Sequence, residues 1–371
     1  MSTSIEWTDE TWNPLRGCRR ISPGCEHCYA ERQAARPILS GPGLPYAGLV
    51  QFGRQGPRWT GATAGPDQLD VPLRWKKPRK VFPCSMSDLF FEGFSFERIA
   101  AVFGIMAATP QHTYQVLTKR IERARRFVEW AERAGADVAG PVDLCTIMAR
   151  NHGSDLSDPQ ATRWPLPNVW IGTSIEDQQR ADERLPHLLE IPAAVRFVSY
   201  EPALEAVNFG PWLSPRKARE ATQRQIEVVR LMKEAIHTAD DAADLLEMLP
   251  EKTRAALQAG LALRRGIDWI IVGGESGPGA RPFDLAWARS TIRQAREAGV
   301  RVFFKQAGAR PVASYYDEAL REMYDAAGWE WDEHDGQPRL AVKLRDRKGA
   351  DLSELPEDLR VQEWPEARRA S

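Results

Sequence analysis

Six short runs of β-branched and aromatic residues recur along the chain, each almost continuously apolar rather than alternating. They are Lys80–Ser87, Thr113–Thr118, Val169–Ser174, Val195–Tyr200, Asp268–Gly273 and Val300–Lys305. A near-unbroken apolar run marks a strand covered on both faces, as in a parallel sheet flanked by helices. Helical patterns lie between several of them, over Phe96–Ala108, Ile121–Ala134, Asp177–Leu189 and Leu285–Ala298. Alternating strands and helices imply right-handed β-α-β units. The expected fold is therefore α/β: a parallel (β/α) barrel, complete or partial TIM-type, with helical insertions.

Two segments interrupt the alternation. Residues from about 135 to 167 carry Gly, Pro, Asp and Ser and read as a long excursion. Residues from about 213 to 265 read as two or three amphipathic, highly charged helices, either a solvated insertion or a lid or partner-binding element. The expected organisation is a barrel over residues 1–310 bearing these insertions. A charged C-terminal extension over 311–371 then packs on it, with a short hairpin near Leu340–Leu344.

The residues at the end of each run are more informative than the runs themselves. They are Ser85, Ser87 and Asp88; Thr118, Lys119 and Arg120; Thr173, Ser174 and Glu176; Ser199, Glu201 and Pro202; Gly273, Gly274, Glu275 and Ser276; Lys305 and Gln306. A single polar strand end only marks where a strand leaves the core. Six of them, with acids, bases and small residues together, point to the C-terminal rim where a (β/α) barrel builds its site. Glu201 and Glu275 are candidate catalytic carboxylates, with a surface turn the plain alternative for Glu275. Lys119 and Lys305 are candidate catalytic cations; the alternative is a structural ion pair with those carboxylates.

Composition narrows the function classes. Hydrophobic content of 43% with 27% charged residues is ordinary for a soluble globular chain of 371 residues. A formal net charge of −1 argues against a globally basic nucleic-acid-binding domain, while leaving room for a local groove. The basic runs KKPRK (76–80) and RIERARR (120–126) read by default as solvated faces. The start, MSTSIEWTDETW, has neither a basic n-region nor an apolar core. The longest apolar stretch, around Ile99 to Ala108, is too short to span a bilayer. A cytoplasmic protein with no membrane association and reduced thiols is expected.

In that compartment a cysteine cluster calls for metal or redox chemistry. Three of the five cysteines, Cys18, Cys25 and Cys28, fall within eleven residues at C-x6-C-x2-C spacing, in a loop shaped by Gly17, Pro23 and Gly24. Three readings stay open from the residues alone. Structural zinc wants four ligands, and His27, between two of the cysteines, is a poor fourth. Ordinary buried cysteines are a second reading. The third is an iron–sulfur cluster: three thiolates hold three irons of a [4Fe–4S] cube and leave one open for a ligand.

The blocks around these features resemble the phage three-cysteine-motif proteins, the Gp37/Gp68-like family, which look like radical S-adenosylmethionine (SAM) enzymes. They are EWTDETWNPLRGC with SPGCEHCYAER, PLRWKKPRKVFPCSMSDLF, QVLTKR, VWIGTSIED, VRFVSYEPAL, IDWIIVGGESGPGARP, VFFKQAG and KGADLSELPEDLRVQEWP. The resemblance spans most of the chain outside the two insertions. Its C-x6-C gap is three residues longer than the C-x3-C usual in the wider class.

The resemblance implies a [4Fe–4S] cluster on Cys18, Cys25 and Cys28, with SAM on the open iron and one-electron cleavage of its sulfonium to start radical chemistry. It further implies cofactor contacts from Tyr29, Ser85, Ser87, Asp88, Thr173, Ser174, Gly273, Gly274 and Glu275. The Gly273-Gly274-Glu275 triplet is similar to the Gly-Gly-Glu that contacts the SAM amino group in that class, although here it follows a late strand. An electron donor is required, the phage association makes a nucleotide or nucleic acid a candidate substrate, and a protein partner is a further expectation. The alternatives are an iron–sulfur protein that binds nucleic acid or a partner without turnover, and a zinc-stabilised structural protein.

Overall fold

The structure, a computed structural model, describes residues 3, 5–54, 56–156, 163–213, 266–314, 331–334 and 337–365. All but the first residue of the 213–265 insertion lies outside these residues. Thirteen strands are described: β1 (Glu10–Trp12), β2 (Val50–Gly53), β3 (Gly56–Trp59), β4 (Lys80–Pro83), β5 (Thr113–Thr118), β6 (Val169–Ser174), β7 (Val195–Tyr200), β8 (Trp269–Gly273), β9 (Phe283–Asp284), β10 (Arg301–Gln306), β11 (Pro311–Ser314), β12 (Trp331–His334) and β13 (Gln337–Ala341). The helices are α1 (Tyr29–Ala34), α2 (Pro37–Ser40), α3 (Phe96–Ala108), α4 (Ile121–Gly135), α5 (Pro141–Asn151), α6 (Gln178–Glu190) and α7 (Leu285–Ala298).

The central sheet has the order β1-β4-β5-β6-β7-β8-β10, and every pair in it is parallel. Adjacent strands stand about 4.8 Å apart, so a flat sheet would separate β4 from β10, five places away, by about 24 Å. Instead, Lys80 Nζ of β4 lies 3.6 Å from the Trp364 ring. That ring is in turn 5.1 Å from Trp269 on β8 and 5.2 Å from Phe303 on β10. Trp7 likewise reaches both Phe82 on β4 and Trp269, at 4.8 and 6.5 Å. The sheet is curled, with an aromatic plug filling its concave side. No pairing joins β1 to β10 among the described residues, so the fold is a partial (β/α) barrel.

The convex face is covered by the helices in one large apolar core, to which Ile99–Phe103, Phe127, Leu185 and Ile292 contribute. The free edge of β10 does not stay bare. Residues 361–363 run along it, with Val361 O accepting from Phe304 N at 2.7 Å and Glu363 N donating to Val302 O at 2.8 Å. Such cover removes an exposed edge that would otherwise pair with another chain.

Three expectations change. The run Lys80–Ser87 is strand only to Pro83, because Cys84 takes φ +57°, a left-handed conformation that ends the strand. Ser85, Ser87 and Asp88 therefore sit on a turn. The 135–167 segment is not merely irregular: it contains α5, whose Val142, Leu144, Cys145 and Ala149 are buried. The first strand, Glu10–Trp12, is too short to leave a run in the sequence.

Candidate metal centre at the barrel mouth

Side chains of a strand alternate faces, so the aromatic plug fixes what stands above it. On β7, Val195 and Phe197 belong to the plug, which sets Ser199 and then Glu201 on the same concave side. By the same period of two, Trp269 and Ile271 lead to Gly273, Trp170 leads to Ser174, and Phe303 leads to Lys305. Leu117 packs on the plug and leads to Lys119. Strand ends collect at one mouth because they are in register with apolar residues two or four places earlier.

The cysteine loop is fastened onto that mouth by the residues between its cysteines. Ser22 Oγ donates to Glu176 Oε1 at 2.7 Å. Gly24 lies so close to the same carboxylate that a Cβ there would meet Oε1 at 2.4 Å. From the other side, Glu275 accepts from His27 Nδ1 at 3.0 Å and from Arg281 N and Nε at 2.8 and 3.1 Å. Arg281 also donates to Pro23 O at 3.0 Å and pairs with Glu26 at 3.1 Å. Arg20 donates to both oxygens of Glu31, which is buried in α1 and accepts from Trp59 N at 3.0 Å. The long C-x6-C gap is the docking segment of the loop.

Each of the three sulfurs has a polar neighbour. Arg120 Nη1 lies 3.7 Å from Cys18 Sγ. Ser22 Oγ lies 3.8 Å from Cys25 Sγ. Cys28 occupies the N-cap position of α1, beside the Ala30 and Glu31 amides, without a capping hydrogen bond from its side chain. Burial outweighs these neighbours in the free thiols: it pushes Cys18 up to about 12, with Asp88 adding and Arg120 opposing, and it raises Cys28 as well. Protons must therefore leave when a metal binds, as in any thiolate site.

Among the described residues no three His, Cys, Asp or Glu side chains converge tightly enough for one metal ion. A cube makes a different demand, since each thiolate takes its own iron and the sulfurs stand further apart. Cys18, Cys25 and Cys28 are free, share one loop and are each partly exposed. This donor set fits a cluster. Cys84 and Cys145 are buried and lie outside it.

The other expected site residues divide into engaged and open groups. Asp88 is engaged completely, accepting from Thr118 Oγ1 and Phe90 N on Oδ1 and from Lys119 N and Arg120 Nη1 on Oδ2. Ser87 Oγ donates to Leu15 O at 2.6 Å, and Thr173 Oγ1 to Thr118 O at 2.9 Å, so both tie backbone segments together. The Ser174 carbonyl accepts from Arg184 at 2.7 Å. Lys119 pairs with Glu176, whose other oxygen takes Arg184 at 3.0 Å. Gly273 O accepts from Ala203 N and Gly274 N donates to Gln306 O, which fixes the turn after β8. Glu275 is filled by His27 and Arg281 and acts on the loop.

Glu201 differs. Its Oε1 accepts from Lys305 Nζ at 2.7 Å and Gln306 Nε2 at 3.0 Å, while Oε2 has no partner among the described residues. Across the mouth, Tyr29 donates from its hydroxyl to Ser85 O, and the residue is 47% exposed. Ser85 Oγ is held by Asn13 at 3.2 Å. Tyr29, Glu201 and Lys305 form the open part of the site.

Glu176, Arg120, Ser22, His27 and Arg281 matter more than their sequence signals suggest. Glu176 and Arg120 stand among the polar strand ends, but nothing local shows that one grips Ser22 and the other Cys18. The basic run 120–126 is a solvated face only in part: Arg125 and Arg126 pair with Glu129 and Glu122, while Arg123 is half-buried and donates to Phe94 O at 2.6 Å.

Fold and site together define a partial (β/α) barrel with a three-cysteine loop clamped over its C-terminal mouth. The chain belongs to the family described as "Protein of unknown function (DUF5131)", which it matches over residues 2–338. No curated protein matches the sequence. A solved structure of spore photoproduct lyase complexed with dinucleoside spore photoproduct is similar at 10% identity and a TM-score of 0.30, over 90% of this chain and 67% of that one. No helix among the described residues is long and apolar enough to cross a membrane.

Proposed function

We propose that this protein is a radical SAM-like enzyme that carries a [4Fe–4S] cluster on Cys18, Cys25 and Cys28. The observation that carries the reading is three free cysteines on one loop docked at a barrel mouth, with the Arg120 guanidinium against Cys18 Sγ. When bound, cluster and SAM supply the electron transfer and sulfonium cleavage that start radical chemistry.

The chain's own residues would bind and orient. Glu201, held by Lys305 and Gln306, offers one carboxylate oxygen to a cationic or hydroxyl group of the cofactor. Tyr29, an exposed residue, offers an apolar face beside Cys28. Lys119 and Glu275, catalytic candidates by sequence, act here through Glu176 and Arg281 on the position of the loop.

The resemblance to the phage Gp37/Gp68-like proteins supports a nucleotide or nucleic acid as substrate, by analogy alone. An electron donor, a protein partner and a cytoplasmic setting belong to the same proposal. Metal and acid-labile sulfide analysis after anaerobic reconstitution tests it. Iron with sulfide is expected. About one zinc per chain without sulfide, the signature of a structural site, would replace it with the zinc-stabilised reading.

A further inference from the structure

Arg120 follows β5, and only 4% of its side chain is exposed. Its guanidinium is held on every side. Nε donates to both oxygens of Glu92 at 3.0 and 2.8 Å, Nη2 to Arg19 O at 2.8 Å, and Nη1 to Asp88 Oδ2 at 3.1 Å. The Phe91 ring lies 5.0 Å from Cζ. Nη1 also approaches Cys18 Sγ, at 3.7 Å. Asp88 cannot drift, because Thr118, Phe90 and Lys119 fill its remaining acceptor positions.

We propose that Arg120 is a positioning residue that sets the reduction potential of the cluster on Cys18; this rests on the cluster reading above. The physical ground is the charge on sulfur. Reducing a cluster adds an electron that is shared with its thiolates, so an N–H···S bond strengthens in the reduced state and favours it. A donor that is itself a buried cation does this more strongly than a neutral one. Beside Cys25 lies the Ser22 hydroxyl, whose hydrogen goes to Glu176, and beside Cys28 lie the neutral backbone amides at the start of α1. Arg120 alone among the three brings a formal charge. Its planar fork grips Asp88, Glu92 and Arg19 while one N–H remains for sulfur, a geometry that lysine does not reproduce.

The test is an EPR-monitored redox titration of anaerobically reconstituted wild type, R120Q and R120K, with iron per chain measured alongside. Both variants are expected to titrate at a more negative potential than wild type, R120Q by the larger shift. Wild type carrying arginine labelled with nitrogen-15 is expected to show nitrogen coupling to the reduced cluster in pulsed EPR. This second measurement needs no variant and decides the matter if R120Q does not fold. An iron-loaded wild type without that coupling, or an R120Q potential equal to wild type, overturns the inference and leaves the cluster reading standing. A wild type that takes up no iron overturns both.

Discussion

Ser22 Oγ donates to Glu176 Oε1 at 2.7 Å, and this bond joins the middle of the cysteine loop to the end of β6. Glu176 has no exposed surface, and Lys119 and Arg184 stand on its two oxygens. One carboxylate thus pairs with two cations under the mouth and anchors the loop above it.

Glu176→Gln leaves both cations short of their partner. Removing one member of a buried ionic group typically costs about 3–5 kcal/mol. The urea midpoint of the variant is expected to fall accordingly. A variant as stable as wild type would mean that Glu176 does not hold the rim.

The same group predicts an acid sensitivity. Burial raises the Glu176 carboxyl, but Lys119 and Arg184, with hydrogen bonds from Lys119 and Ser22, outweigh it and hold the group below the usual carboxylate range. In the unfolded chain a Glu titrates near about 4.3. Its contribution is therefore fully present above that value and is lost as pH falls from there through the lower folded value. Urea titrations at pH 7 and at stepped pH values below 5 should show wild type losing more stability than Glu176→Gln across that window.

Cysteine substitutions should sort cleanly. Cys18→Ala, Cys25→Ala and Cys28→Ala are each expected to lose most iron and visible cluster absorbance after reconstitution. Cys84→Ala and Cys145→Ala, both buried and not part of the loop, should retain them. Iron loss confined to the second pair would reverse the assignment.

Glu201→Gln keeps the size of the side chain and removes the charge facing the mouth. Losing a charge-assisted hydrogen bond of about 1.5–3 kcal/mol weakens binding by about tenfold to a hundredfold. Weaker SAM binding by equilibrium dialysis, with iron content unchanged, is the expected result. Equal affinity would remove Glu201 from the cofactor contacts.

Inside the barrel, a Cβ at Gly172 would meet the Phe197 ring at 2.5 Å. Phe197 is fully buried in the plug, so the ring has nowhere to retreat. Gly172→Ala should destabilise by about 1–3 kcal/mol through overpacking, read as a lower thermal midpoint.

β5, β6 and β7 coincide with their apolar runs because strands buried on both faces leave a continuous signal. The polar ends were legible for the same reason, since the residue after a buried run must go somewhere wet. Contacts across the fold were not. Nothing near Asp88 says that both its oxygens are spent on Thr118, Phe90, Lys119 and Arg120, and nothing near Glu275 says that Arg281 and His27 will fill it. The α5 segment escaped because Gly135, Gly140 and Pro141 break its flanks, while its buried face is matched to α3 rather than to a sheet. The cysteine spacing points in the sequence to metal or redox chemistry, but the docking of the long gap is not legible there, because Ser22, Pro23 and Gly24 meet Glu176 and Arg281 only across the fold.

The most direct test is product analysis of the reconstituted, chemically reduced protein incubated with SAM under strict anaerobiosis. Formation of 5′-deoxyadenosine, abolished in Cys25→Ala, is the predicted result. An iron-loaded protein that leaves SAM intact would contradict the enzymatic reading and favour a cluster protein that binds without turnover.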